Sequence, residues 1–300
     1  MTTAAIPATP PLRCPDTASD YANQCAGSPS NWALVRDRHD HQLWRVQGPC
    51  MTVAVKVSSG QSAARALVRE AAALRAMPAG GIRVLRASDN LYGAMPWAWL
   101  ITPWADGPTT WDMCKKLRDA EDDGREEARR AAVELCMAVG RLHAAGWVHG
   151  DLRPHHAVHT TAGVRLLSCA GASRIGHATS TAYLGGLVHL LSPQFAAALE
   201  ASTVGVRLDP ADEVYTLAAG LWWAATTSWP LAFSDAGLDP STMTAVSLRR
   251  AIASAKIPLV SGTAHPWPEF LAPLSDAMAQ TPGDRPNAYQ LADQLKVVPL

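Results

Sequence analysis

The stretch Gly146-Trp147-Val148-His149-Gly150-Asp151-Leu152-Arg153-Pro154 decides the fold. It follows a segment in which Leu135, Val139 and Leu142 recur at helical spacing, so a predicted helix leads into a short loop. Within that loop, Asp151 is our candidate for a carboxylate that accepts or orients a hydroxyl proton. The structural alternative is an aspartate that caps a turn. Arg153 adds a planar cation that is able to hold phosphate oxygens.

A lysine and a glutamate lie upstream of this loop. Val53-Ala54-Val55-Lys56 alternates in the manner of a strand, and Glu70 follows on a predicted helix over Ser62–Met77. An ion pair between a strand and a helix would bring the two side chains together. The structural alternative is a surface pair worth under about 1 kcal/mol.

These segments resemble those of protein kinases. The loop around Asp151 is similar to the catalytic loop of that family, and Lys56 with Glu70 is similar to its lysine–glutamate pair. Ser192-Pro193-Gln194 stands where the family has Ala-Pro-Glu, and Asp284-Arg285-Pro286 resembles its late arginine motif. His-Gly-Asp is also similar to the loop of aminoglycoside phosphotransferases, which belong to the same superfamily. The resemblance spans about residues 31 to 298.

The resemblance implies an α+β fold with two lobes. A β-rich lobe is expected over about 31–102, a hinge over about 103–108 and a larger, mainly helical lobe over about 109–298. Residues 1–30 are rich in Ala, Thr, Pro and Ser without apolar periodicity, so we predict a flexible leader there.

Apolar patterning predicts the individual elements. The most apolar stretch, Tyr215–Phe233, contains threonines and a proline, so it indicates a buried helix rather than a membrane span. Short alternating runs predict strands at Trp32–Val35, Gln42–Val46, Met51–Val57, Ile82–Arg86 and Trp97–Thr102.

A nucleotide site follows from the resemblance, with ATP as the implied cofactor. Lys56 would reach the phosphates if Glu70 holds the ammonium group in place. The glycine-rich loop of the family is missing, and Arg36, Arg38 and His41 occupy its approximate position. The two arginines could bind phosphate by charge, but the default for all three is that of solvated residues between strands. The implied adenine slot is lined by residues that are equally suited to a core: Ala54, Thr102, Trp104 and Val158.

The metal ligands that the resemblance implies are replaced. His156 stands where the family has asparagine, and Ser168-Cys169-Ala170 stands where it has Asp-Phe-Gly. Because Mg²⁺ prefers oxygen ligands and imidazole suits softer metals, ordinary Mg-ATP chemistry is not expected, and His156 is left as a candidate ligand for another divalent metal. His155, His156 and His159 are close enough in sequence for a transition-metal site, but we favour polar loop histidines.

Two functions are compatible with these residues, and whether the chain is an enzyme stays open. The changes at His156 and Ser168 favour a pseudokinase, a regulatory or scaffold protein that binds a protein or peptide partner and retains residual nucleotide binding. Retention of Lys56, Glu70 and Asp151 supports the alternative, an active ATP-dependent phosphotransferase with an atypical metal site. Its acceptor would be a hydroxyl of a protein, a peptide or a small molecule.

Composition narrows the class of partner. The formal net charge is zero, with 26 basic and 26 acidic residues and no dense basic run, so nucleic acid and anionic membranes are not expected partners. The six cysteines are scattered without a CxxC pair, and the first residues lack a signal-peptide pattern. We therefore expect a reduced, cytoplasmic protein. The excess of arginine over lysine is typical of GC-rich bacterial genes.

Overall fold

The computed structural model describes residues 14–38, 40–77, 82–121, 123–178, 186–202 and 204–300. It combines an antiparallel sheet with helices, which confirms the α+β class. The chain divides into two compact units: Met1–Ala72 with Arg83–Trp104, and Ala73–Ile82 with Ala105–Leu300.

The first unit is built on a five-stranded sheet. Helix α1, Asp16–Ala26, precedes the sheet, and helix α2, Gln61–Ala76, follows its third strand. All neighbouring strands are antiparallel, in the order β1-β2-β3-β5-β4. The strands are β1 Asn31–Arg38, β2 His41–Gln47, β3 Thr52–Ser59, β4 Arg86–Asn90 and β5 Trp97–Pro103.

The two faces of this sheet have different coverings. Side chains alternate between the faces because the strand period is two residues. One face packs against α1 and is fully buried at its centre, through Val46, Val53, Val55, Val57, Trp99 and Ile101. The opposite face carries Lys56 in the middle of β3.

The predicted flexible leader over residues 1–30 is wrong for α1. Ala18, Ala22 and Ala26 recur four residues apart and are fully buried against the sheet. Because alanine side chains are small, the helix lies close to the sheet and covers the larger apolar side chains of the strands. Alanine carries little hydrophobic signal, which is why composition concealed the helix. Residues 1–13 lie outside the described residues.

Four of the five predicted strands are confirmed, and one is displaced. The strand predicted at Ile82–Arg86 is wrong, since the chain pairs with β5 over Arg86–Asn90 instead. Of the predicted segment, Arg86 begins β4 opposite Ile101, and the Leu85 N–H donates to the Ile101 carbonyl at 2.9 Å. β4 is an edge strand with exposed side chains, so backbone pairing rather than an apolar pattern defines it.

The second unit is mainly helical. Helices α3 Thr110–Met113 and α4 Lys115–Arg118 precede α5 Gly124–Ala144, in which Leu135, Val139 and Leu142 are buried as predicted. Two short antiparallel pairs follow, β6 Trp147–Val148 with β9 Ser173–Arg174 and β7 Ala157–Thr160 with β8 Gly163–Leu166. The remaining helices are α6 Pro193–Ala201, α7 Pro210–Thr226, α8 Ala245–Ala253, α9 Pro268–Ala279 and α10 Ala288–Lys296.

Helix α7 is the buried helix predicted from the most apolar stretch. It begins earlier than Tyr215, because Asp209 caps it by accepting the Ala211 N–H at 2.9 Å. It ends before Phe233, because Thr227 adopts a left-handed conformation that closes the helix. Across the parts of the chain that the structure describes, no helix is both long and apolar enough to cross a membrane.

Candidate functional site

Lys56 and Glu70 form an ion pair inside the first unit. Strand β3 places the lysine and helix α2 places the glutamate, and Lys56 Nζ lies 2.5 Å from Glu70 Oε1. The two side chains are 16% and 8% exposed, so solvent screens this pair far less than a surface pair. The pairing that the spacing predicted is therefore present, although its role in binding phosphate remains a prediction.

His41 lies near this ion pair. Its Nδ1 is 3.0 Å from Ser58 Oγ, directly across the β2–β3 pairing. Burial, followed by the charge of Lys56, lowers the pKa of His41 below its usual 6.5. His41 is therefore neutral at pH 7 and offers a hydrogen bond rather than a charge. Arg36 and Arg38 are exposed on β1.

The residues predicted to line an adenine slot fall in both units. Ala54 and Thr102 are directly paired across β3 and β5, and Trp104 is fixed by its N–H bond to the Thr52 carbonyl at 2.9 Å. Val158 belongs to the second unit, where it is buried. Sequence reasoning missed Arg45, whose guanidinium lies 5.3 Å from the centre of the Trp104 ring. No sequence motif marks this arginine, because its place depends on strand register.

Asp151 is bound by the arginine of its own loop. Arg153 Nε donates to Asp151 Oδ1 at 2.7 Å, and Arg153 Nη2 donates to Oδ2 at 3.1 Å. This two-point contact engages both carboxylate oxygens at once. The Asp151 side chain is 20% exposed and that of Arg153 is 32% exposed. The two predicted catalytic residues are thus brought together, each as the other's partner.

The backbone at Gly186 covers the same carboxylate. A Cβ built on Gly186 would lie only 2.4 Å from Asp151 Oδ1, so the residue there approaches Asp151 as closely as a glycine allows. A carboxylate that orients a hydroxyl needs that hydroxyl within about 2.6–3.2 Å. Arg153 and Gly186 therefore crowd the carboxylate, while 20% of the Asp151 side-chain surface stays exposed.

Close packing explains the glycine in the His-Gly-Asp stretch. Gly150 has φ +81°, and a Cβ there would lie 2.3 Å from the Gly171 carbonyl oxygen. Side chains rarely adopt this backbone conformation, and no side chain fits in this gap. The glycine is therefore required by the packing of the loop against residue 171.

Glu213 anchors the loop, and sequence reasoning missed its role. It is 1% exposed and accepts the N–H groups of His149 and Gly150, both at 2.8 Å, while His143 Nε2 lies 2.9 Å from its other oxygen. Burial alone would raise the pKa of Glu213, but the His143 hydrogen bond and charge, with further contributions from His149 and the Gly150 N–H, outweigh it and lower that pKa. The one sequence feature that could have indicated this role is the presence of an acidic residue, Glu213, in the otherwise apolar helix α7.

Two histidines of the loop are held by hydrogen bonds to the backbone. His149 Nδ1 accepts the Asp151 N–H at 3.2 Å, so its Nε2 carries the proton and donates to the Leu167 carbonyl at 2.8 Å. His156 Nδ1 donates to the Asp151 carbonyl at 2.8 Å. Burial lowers the pKa of His156 to about 4 despite the opposing Asp151 charge. His156 therefore has one ring nitrogen, Nε2, left as an acceptor.

The three clustered histidines do not converge. His155 is exposed, His156 is mostly shielded, and His159 is buried on β7. His159 Nδ1 lies 2.7 Å from Glu134 Oε2, and its Nε2 lies 2.9 Å from Thr110 Oγ1. His155 and His156 lie in a short 3₁₀ turn after the loop, whereas His159 lies on β7, so the prediction of loop histidines is wrong for His159 alone. Thr110 is fully buried, so this threonine–histidine–glutamate chain is a structural link rather than a nucleophile with its base.

The implied magnesium ion does not fit the residues at its expected position. His156 offers a single nitrogen, and Ser168, in a left-handed conformation at φ 61° and ψ 47°, offers one hydroxyl. The buried Cys169 thiol donates to the Leu166 carbonyl at 3.6 Å. Within the described ranges, no group of three or more His, Cys, Asp or Glu side chains is placed to hold a metal. This donor set does not match the oxygen cage that Mg²⁺ demands.

Arg285 has a structural role. Its guanidinium donates to the carbonyls of Ala211, Ala277 and Gln280 at 2.8–2.9 Å, and the residue is 7% exposed. Gln194 is exposed on α6. The arginine is satisfied by backbone acceptors, which removes the need for a carboxylate at residue 194.

Comparison with protein-family models finds no match for this chain, and comparison with curated proteins finds none either.

Proposed function

We propose that this chain is a pseudokinase: a protein-kinase-like regulatory or scaffold protein that binds a protein or peptide partner and does not transfer phosphate. The two-lobed kinase-like arrangement is part of the proposal. Support for it comes from the motifs around Lys56, Asp151 and Arg285, and from the antiparallel sheet that carries the Lys56–Glu70 pair.

The state of Asp151 carries the proposal. Both of its carboxylate oxygens are engaged by Arg153, and the Gly186 backbone lies against one of them. Phosphoryl transfer depends on positioning of the attacking hydroxyl and on charge stabilisation. In this proposal, Arg153 competes with a substrate hydroxyl for both carboxylate oxygens, and Asp151 stabilises the loop instead of orienting a substrate.

The donors at the expected metal position support the same conclusion. His156 and Ser168 replace the oxygen ligands that hold magnesium in the family that the chain resembles. Without those ligands, the charge on a transferring phosphoryl group lacks its main counterion. No catalytic step through a metal is therefore proposed for this chain.

The Lys56–Glu70 pair favours the second candidate function, an active phosphotransferase. The pair is intact and shielded, and a lysine held in this way can contact nucleotide phosphates. Activity would in addition require Arg153 to release Asp151, Gly186 to move away and other groups to hold a metal. We therefore assign the pair to residual nucleotide binding within a pseudokinase.

Partner capture tests the scaffold role. The tagged wild-type chain and Asp151→Asn should retain the same proteins from a lysate of the source cells with equal yield, with or without ATP. Asp276→Asn, an exposed substitution on α9, is the matched control. A partner that is lost from Asp151→Asn but kept by the control would show that association depends on the Asp151 carboxylate, and would overturn the scaffold proposal.

A further inference from the structure

Three side chains form a row on the face of the sheet that carries Lys56. Arg45 on β2 pairs directly with Ala54 on β3, and Ala54 pairs directly with Thr102 on β5. Residues that are paired across strands point to the same face, and Lys56, two residues from Ala54, points there too. Arg45, Ala54 and Thr102 therefore form one continuous surface, which we call the wall. Ala54 and Thr102 are the residues of this wall that are predicted to contact a nucleotide base.

The Arg45 side chain reaches across this wall to Trp104. Strand β2 and the residue that follows β5 are separated by two strand spacings, about 9–10 Å. The guanidinium carbon of Arg45 nevertheless lies 5.3 Å from the centre of the Trp104 ring, within the range of a cation–π contact. The contact therefore spans β3 between Ala54, which pairs with Arg45, and Thr52, whose carbonyl accepts the Trp104 N–H, and the small side chain of Ala54 leaves room for it.

The contact leaves a donor of Arg45 unsatisfied. Its Nε is buried, and no hydrogen-bond acceptor for it is found in the portion of the chain that the structure describes. A buried donor without an acceptor is costly. The Arg45 side chain is held in place by Trp104 and not by a hydrogen bond at Nε. Replacing Arg45 should therefore expose Ala54 and Thr102 while the sheet remains folded.

We propose that Arg45 and Trp104 close the predicted base-binding wall and that this contact limits nucleotide binding by the chain. A purine requires a flat apolar surface at van der Waals distance, about 3.5–4.0 Å. The guanidinium occupies that surface and presents a charge to the base. This inference rests on the proposed function, because it takes the Lys56 face of the sheet as the residual nucleotide site.

Equilibrium titration with a fluorescent trinitrophenyl-ATP, and competition by unlabelled ATP, tests the closure. Arg45→Val suits a strand and removes the guanidinium, and it should lower the Kd for ATP at least tenfold. Arg45→Met keeps the length without the charge and should give a smaller gain. Arg86→Val removes an exposed arginine of the same sheet, at a position paired with Ile101 on the face that packs against α1, and is the matched control; it should leave the Kd within twofold of wild type.

A second substitution locates the gain at the proposed site. Lys56→Ala combined with Arg45→Val should reverse most of the tightening. Circular dichroism and thermal unfolding of each variant report whether the sheet remains folded.

The outcomes separate this inference from the proposed function. An Arg45→Val variant that is folded but binds ATP no better than wild type overturns the closure, whether wild type binds weakly or not at all, and leaves the pseudokinase proposal standing. An Arg45→Val variant that binds tightly and also transfers phosphate upholds the closure and overturns the pseudokinase proposal.

Discussion

At the scale of single residues, Asp151 is held from two sides. Arg153 engages both of its oxygens from within the loop, and the backbone at Gly186 lies against one of them. Glu213 fixes the loop through the N–H groups of His149 and Gly150. The conformation of the loop is thus specified by hydrogen bonds that include both oxygens of its carboxylate.

His156 should give the protein a pH-dependent stability. Burial lowers its folded pKa to about 4 from 6.5, so the neutral form is favoured on folding. Its contribution to the free energy of unfolding is fully present above pH 6.5 and is lost as the pH falls from 6.5 through 4. When protonation is complete, the free energy of unfolding is lower by roughly 3 kcal/mol. Urea unfolding at pH 7, 5.5 and 4 measures this loss.

His156→Asn isolates the effect, because the amide can still donate to the Asp151 carbonyl but does not titrate. Its free energy of unfolding should fall less steeply with acidification than that of wild type. His177→Asn, at an exposed histidine of the same unit, should follow wild type. Identical pH profiles for wild type and His156→Asn would contradict the burial of a neutral imidazole.

The sequence predicts some of these residues better than others. The Lys56–Glu70 contact follows from a strand and a helix at a fixed spacing, and the Asp151 loop from one contiguous stretch. Arg45 and Glu213 were not found because their contacts depend on strand register and on the packing of α7, which single residues do not encode locally.

At the scale of elements, the loop over 149–153 owes its shape to a glycine. Gly146 and Gly150 share φ +81°, but only Gly150 has a close neighbour, the Gly171 carbonyl oxygen. Gly146→Ala should therefore cost about 1 kcal/mol, the strain of a left-handed alanine. Gly150→Ala adds a steric overlap and should lose about 2 kcal/mol more.

Chemical denaturation of the two variants measures that difference directly, since the backbone strain is common to both. Equal losses at the two positions would mean that the loop does not pack against residue 171 as described.

Helix α1 should stabilise the sheet of the first unit. Ala22 is fully buried between the helix and the sheet, whereas Gln24 on the same helix is exposed. Ala22→Asp should lower the free energy of unfolding by about 3 kcal/mol, because it buries a carboxyl group without a partner. Gln24→Asp introduces the same side chain into the same helix and should change stability by less than about 0.5 kcal/mol.

Thermal or urea unfolding compares the two variants. If Ala22→Asp is as stable as Gln24→Asp, α1 does not form part of the core of this unit, and the predicted flexible leader would have been the better description.

At the scale of the whole molecule, apolar alternation and helical spacing were sufficient for the α+β class and for most strands. They failed at α1, where alanines carry the packing, and at β4, where an edge strand is defined by backbone pairing to β5. Function was less accessible than fold, because the same loop sequence serves a working carboxylate or a closed ion pair. The structure shows Arg153 engaging both carboxylate oxygens of Asp151, and the pseudokinase proposal builds on that contact.

Phosphate transfer is the most direct test of the pseudokinase proposal. Purified wild type and Asp151→Asn would be incubated with γ-labelled ATP and Mg²⁺, Mn²⁺ or Zn²⁺, and incorporation into the chain itself and into a generic protein acceptor would be measured. We predict no incorporation above background for wild type or variant with any of the three metals. Metal-dependent incorporation by wild type that is abolished in Asp151→Asn would contradict the account and identify the chain as an active phosphotransferase.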